Sequence, residues 1–210
     1  HLNIGAGRVV QMDVTRIDAM IASGEFYQAP LMLGLMKNAR EGHRLHIMGL
    51  ISDGGVHSLL THLYAVLKTA KLEGVERVFI HCFMDGRDTA PNSGLGFMEE
   101  LLKKVREIGV GRVASVSGRY YAMDRDKRWE RVERAFRAIV LGDGRKSADP
   151  VAAIKQSYEA GVTDEFIEPV VITNAANEPT GLLRDEDAVI FFNFRADRGR
   201  ELSQVLTEYP

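Results

Sequence analysis

The 210-residue sequence holds one cysteine, no surplus of either charge and no apolar run near the length of a membrane span. A lone Cys82 cannot form an internal disulfide, and its place in the apolar run Phe79-Ile80-His81-Cys82-Phe83 marks it as core rather than nucleophile. About 20 consecutive apolar residues are needed to cross a bilayer, and the chain has no such stretch. No basic segment followed by an apolar one opens the sequence, so no secretory signal is read and a reduced, cytoplasmic setting is expected. With 27 basic and 29 acidic residues the formal net charge is -2, which argues against a general nucleic-acid binder. Internal repeats and low-complexity tracts are also missing.

What is present is ordinary for a globular protein: hydrophobic residues at 45% and charged residues at 27% can build a proper core. Residues 44–52, 76–84, 111–118, 168–173 and 187–194 read as strands, several as nearly continuous apolar runs suited to burial on both faces. Helical periodicity fills residues 30–40, 58–73, 94–108, 128–141 and 148–160. This alternation predicts an α/β fold, a single domain with a mostly parallel sheet flanked by helices. The string from Thr173 to Gly181 reads as a polar loop. Two glycine-rich strings read as turns rather than nucleotide loops. Gly5-Ala6-Gly7-Arg8 has no preceding strand, and Gly142-Asp143-Gly144-Arg145-Lys146-Ser147 has arginine where a phosphate loop needs glycine before its lysine.

Ligands of open α/β sheets sit beyond the carboxyl ends of the strands, and four polar strings fall there. Ser52-Asp53-Gly54-Gly55-Val56-His57-Ser58 places His57 at a helix entrance, as anion ligand or as helix cap. Asp85-Gly86-Arg87-Asp88 offers the planar fork of Arg87 and a proton acceptor in Asp88, or else an internal ion pair. In Gly118-Arg119-Tyr120-Tyr121-Ala122-Met123-Asp124-Arg125-Asp126, Arg119 and Arg125 are candidate ligand contacts and Asp126 a candidate helix cap. Arg128, Arg131 and Arg134 recur at helical spacing among acids and read as a solvated face. In Phe192-Asn193-Phe194-Arg195-Ala196-Asp197-Arg198, a helix would place Arg195 and Arg198 on one face, against one anion. Five arginines, a histidine and an aspartate at four strand ends suit a small, hydroxylated polyanion such as a sugar-acid phosphate. Two other readings remain open: a metal-dependent hydrolase using Asp53, His57, Asp85 and Asp88, and an interaction module binding an acidic partner or RNA.

In their order and wording these four strings resemble the signature blocks of cofactor-independent phosphoglycerate mutases, a likeness running from His1 to about Leu206. Leu2-Asn3-Ile4-Gly5-Ala6-Gly7-Arg8 is similar to the segment after the family's nucleophilic serine. The resemblance implies an isomerase of glycolysis and gluconeogenesis that interconverts 3-phosphoglycerate and 2-phosphoglycerate through a phosphoserine. Its phosphatase-like domain would carry two manganese ions, and an inserted transferase domain would hold the glycerate. On that likeness residues 1–210 are expected to be the transferase domain. Its substrate contacts would be His57, Arg87, Asp88, Arg119, Arg125, Arg195 and Arg198, with Asp88 handling a hydroxyl proton. The serine, the metal ligands and a phosphate-contacting lysine of the family fall outside the sequence, so no cofactor is expected in this chain. Alone it would bind substrate without turning it over, with the phosphatase domain as its partner and neither nucleic acid nor membrane involved. Leu59 and Ala90 stand where the family commonly has histidine and proline.

Overall fold

A computed structural model describes residues 12–208. Its chain order is α1 (Asp13–Ser23), α2 (Pro30–Arg40), β1 (Leu45–Ile51), α3 (Leu60–Leu72), β2 (Val78–Met84), α4 (Gly94–Ile108), β3 (Arg112–Gly118) and the single turn α5 (Arg119–Ala122). Then follow α6 (Trp129–Phe136), β4 (Arg145–Ser147), α7 (Pro150–Glu159), β5 (Val170–Ile172), β6 (Ala188–Phe191) and α8 (Arg200–Glu208). Among the described residues the strands form one six-stranded sheet in the order β4-β5-β3-β2-β1-β6. Strands β3, β2, β1 and β6 run parallel, whereas β5 pairs antiparallel with β3, and β4 follows β5. The sheet is thus mostly parallel, as expected, with a reversed edge.

Successive side chains on each strand face opposite ways, and both faces are covered. Leu45, Ile47 and Ile51 of β1 join Ile80, Cys82 and Met84 of β2 in a core beneath α2, α3, α4 and α7. Met48, Leu50 and Phe83 face α5, α6 and α8 through Tyr121, Val132, Ala135 and Leu202. Burial pushes the Cys82 thiol pKa far up, leaving it protonated and inert.

The helix ends follow local chemistry. Pro30 opens α2 and Pro150 opens α7, where a missing N–H costs nothing. Asp149 caps α7 by accepting from Val151 N. Gly109, with φ 80°, closes α4 with its N–H on the Val105 carbonyl. The α4 N-terminus is satisfied from a distance: the buried Asp164 accepts from Gly94 N at 2.7 Å and from the Tyr158 hydroxyl.

Several details depart from expectation. Helices α1 and α8 and strand β4 were not expected; β4 grows from the string read as a turn after Gly142. The final strand pairs in regular fashion only to Phe191, after which Asn193 Oδ1 accepts the Leu50 N–H at 2.9 Å. The loop after Thr173 is a loop, folded over the Asn174 side chain. Gly5-Ala6-Gly7-Arg8 lies outside the described residues.

A polar chain crosses the second face of the sheet. His46 Nδ1 lies 2.9 Å from His81 Nε2, and His81 Nδ1 lies 2.8 Å from Ser115 Oγ, all buried. His46 Nε2 is 3.2 Å from Asp187 Oδ2 without the alignment of a hydrogen bond. Burial, then the charge of Arg44, lowers the His46 pKa to about 3, and burial followed by His46 lowers that of His81. Both rings are neutral when folded, whereas the unfolded chain takes up protons below its ordinary histidine value. Stability therefore falls as pH drops through that value. Between pH 7.5 and 5.5 these two rings should remove about 2–3 kcal/mol. Urea denaturation across that window should show the loss; a flat profile would disprove the neutral pair.

Candidate active site

The carboxyl ends of β1, β2, β3 and β6 meet where the chain order reverses about β1, the place an open parallel sheet offers a ligand. At the centre lies Arg119, the residue after β3, with its side chain only 2% exposed. Its Nη1 donates to Asp85 Oδ1 at 2.7 Å and to Asp88 Oδ2, both in the loop after β2. Its Nη2 donates to His57 Nε2 at 3.1 Å, in the loop after β1. One planar guanidinium thus ties together three loops from adjacent strands. Burial alone would lower its pKa, but the bonds to Asp88 and Asp85 raise it overall.

Asp85 is saturated. Its Oδ1 also accepts from Arg87 N and Asp88 N, and its Oδ2 accepts from Ser52 Oγ at 2.7 Å. Burial opposes its ionisation, but these donors hold its pKa below the ordinary value. Because arginine only donates, His57 Nε2 must be an acceptor, and its ring proton sits on Nδ1. Burial and then Arg119 depress the His57 pKa, consistent with a neutral ring. Its Nδ1 faces Asp197 Oδ1 at 3.8 Å, and neither atom has a hydrogen-bond partner among the described residues. His57 and Ser58 do not cap α3: Ser58 Oγ donates back to the Leu50 carbonyl.

Backbone approach fixes these loops. A Cβ on Gly118 would lie 2.1 Å from the Glu165 carbonyl oxygen, so only glycine lets the 164–167 segment press against the residue before Arg119. Gly86, with φ +65°, meets the same segment, where a Cβ would approach Asp164 Cβ to 2.8 Å.

Beside Arg119 opens a cavity of about 120 Å³ whose wall includes Arg87, Arg119, Arg125, Arg131 and Arg198. The guanidiniums feel one another: burial, followed by Arg119, Arg125 and Arg87, lowers the Arg198 pKa. Arg198 is steadied by donating to the Met123 carbonyl at 3.1 Å. Arg87 and Arg125 are about half exposed, resting on Glu165 at 3.5 Å and on Asp197 at 2.8 Å. Five guanidiniums outnumber the carboxylates of Asp124, Asp126 and Glu165 in the same wall, and the cationic excess suits a compact polyanion.

Four of the five expected arginines share this cavity, and Arg195 does not. No helix spans residues 195–198; Arg195 is extended and precedes a short 3-10 turn, Ala196–Arg198. It lines a neighbouring hollow against α8 and reaches the site through Asp197 Oδ2, 3.0 Å away, which also holds Arg125. Asp126 does not cap α6. Asp124 organises that turn instead, accepting from Asp126 N at 2.9 Å and Arg128 N at 3.0 Å. Arg131 is not on a solvated face: it lies 3.7 Å over the Tyr120 ring, is 17% exposed and lines the cavity. Tyr120 and Tyr121 both stack against arginines of α6, Arg131 and Arg134, rather than standing free for bases. Among the described residues no three His, Cys, Asp or Glu side chains gather as a metal site.

The family model for the BPG-independent PGAM N-terminus matches residues 17–210. The chain belongs to this family. It is 52% identical over 209 residues to the 2,3-bisphosphoglycerate-independent phosphoglycerate mutase of Moorella thermoacetica, covering 99% of this chain and 40% of that protein. With the same-named protein of Thermomicrobium roseum the identity is 54%, at the same coverages. Leishmania mexicana phosphoglycerate mutase, in crystal structures at low cobalt concentration, superposes with a TM-score of 0.90 at 34% identity, over 97% of this chain and 39% of that one. The BPG-independent PGAM N-terminus seen here therefore spans about two fifths of the length of these relatives. Among its described residues no helix is long and apolar enough to cross a membrane.

Removing the central guanidinium would strand Asp85 and Asp88. Arg119→Met should cost about 3–5 kcal/mol, the penalty of breaking a buried ion pair, measured by urea denaturation. The double variant with Asp85→Asn should recover part of it. An unchanged midpoint for Arg119→Met would show that the three loops are held by something else.

Proposed function

We propose that residues 1–210 form the substrate-holding domain of a phosphoglycerate mutase, binding 3-phosphoglycerate and 2-phosphoglycerate while the phosphoryl group moves to and from a serine elsewhere in the enzyme. The observation that carries this reading is the convergence of five guanidiniums on one cavity of about 120 Å³. A phosphoglycerate brings two anionic groups joined by a hydroxylated carbon, and pairs of arginine forks match carboxylate and phosphate oxygens. Arg119, already fixed by Asp85, Asp88 and His57, forms a rigid wall, while Arg87 and Arg125 are exposed enough to close on the ligand. Asp88, with its side chain 21% exposed beside Arg119, is the group open to a substrate hydroxyl and able to hold its proton. His57 accepts from Arg119, and Arg195 acts through Asp197.

The two manganese ions implied by the resemblance do not fit the described residues. Arg119 takes one oxygen each of Asp85 and Asp88, Ser52 takes the other of Asp85, and five neighbouring guanidiniums oppose a cation. A phosphatase-like partner domain would have to supply those ligands. The same crowding disfavours a hydrolase built on Asp53, His57, Asp85 and Asp88. The reading implies a soluble cytoplasmic enzyme of glycolysis and gluconeogenesis.

Calorimetric titration with 3-phosphoglycerate tests it. Arg125→Ala should weaken binding roughly 10- to 100-fold, as for loss of one charge-assisted contact, with its thermal midpoint little changed. Equal affinities, or no binding by the native chain, would refute the assignment.

A further inference from the structure

Two buried carboxylates, one in the wall of the arginine cavity and one on α8, have no part in the binding reading above. Asp124 is 5% exposed and Glu201, in the first turn of α8, is 8% exposed. Between them they receive three consecutive backbone amides. Asp124 Oδ2 takes Asp126 N and Arg128 N, and Glu201 Oε1 takes Lys127 N at 2.9 Å. Lys127 sits at φ 59°, a strained conformation for a residue with a side chain, which needs outside support to persist. Among the described residues, buried Glu201 Oε2 has no hydrogen-bond partner. An ionised oxygen so placed would carry a large desolvation cost, which a proton shared with a neighbouring carboxylate removes.

We propose that Asp124 and Glu201 share a proton and act as positioning residues, clamping the 124–128 turn to α8 so that Arg125 and Arg198 face one anion. This rests on the anion-binding reading of the cavity. The turn carries Arg125, and α8 follows directly on Arg198, which donates to the Met123 carbonyl beside the pair. The clamp thus joins the two chain segments that supply those arginines. The charged groups facing the pair are Arg131 of α6, 3.6 Å from Asp124, and Asp126, whose charge bears on Glu201.

The direction of titration agrees. Burial, then Asp124 and Asp126, raises the Glu201 pKa, while the Arg128 and Asp126 amides hold that of Asp124 low despite burial. A group with a raised folded pKa stabilises below its ordinary value and loses that contribution as pH rises through the folded value. The clamp therefore loosens as pH rises above the ordinary glutamate value.

Amide exchange reads the clamp without any ligand. Protection factors of Asp126, Lys127 and Arg128 should fall at least about tenfold in Glu201→Ala, an opening cost near 1.4 kcal/mol. In Glu201→Gln, whose amide can both accept from Lys127 and donate to Asp124 without titrating, they should be retained. As pH rises above the ordinary glutamate value, protection should decline in the native chain and stay level in Glu201→Gln. The affinity for 3-phosphoglycerate should follow, with Glu201→Gln equal to native near the ordinary glutamate value and at least about fivefold tighter well above it. Unchanged protection in Glu201→Ala, or the same pH response in native and Glu201→Gln, would overturn the proposal. A native chain that binds no 3-phosphoglycerate would instead defeat the functional reading, leaving the clamp to be judged on exchange alone.

Discussion

One buried guanidinium, that of Arg119, sets the geometry of the whole carboxyl edge. It donates at once to the loops after β1 and β2 while standing at the end of β3. A buried cation is tolerated only with its hydrogen bonds satisfied, so His57, Asp85 and Asp88 must stay where they are for the fold to be stable. On the proposed function, the same requirement prearranges a binding wall before any ligand arrives. Stability and recognition share one set of bonds, which is the usual structural meaning of preorganisation.

Around this fixed centre the other arginines are graded by freedom. Arg198 is half-held by a backbone carbonyl, Arg125 and Arg195 share Asp197, and Arg87 rests loosely on Glu165. Asp197 occupies the cationic groups in the free state and leaves one oxygen turned toward His57. An entering anion competes with that carboxylate rather than meeting a bare field. The resulting affinity is a difference between two sets of ion pairs, which favours ligands bearing more than one anionic group.

Much of this was legible in the sequence, for definite reasons. The parallel strands betray themselves as apolar runs buried on both faces, and polar strings at their ends stand out against them. Helix α4 was read to the residue because Gly109 stops it. What escaped notice depends on tertiary context. Arg131 has the spacing of an ordinary exposed helical residue, and only the fold turns it over Tyr120 and into the cavity. Strand β4 is three residues of polar sequence, made a strand by β5 beside it. The reversal of β5 leaves no mark in composition. Asp124 and Glu201 lie 77 positions apart in sequence and meet only through the turn whose amides they share. The family resemblance names the expected substrate contacts but not the groups that hold those side chains in place.

Cys82 has a practical meaning. It is the sole thiol in the sequence, fully enclosed on β2 beneath the helices, and its proton is held tightly. Native protein is therefore close to silent toward maleimides and iodoacetamide. A cysteine engineered on the surface would react alone, so a fluorophore or spin label could be attached at one chosen point without first rebuilding the core.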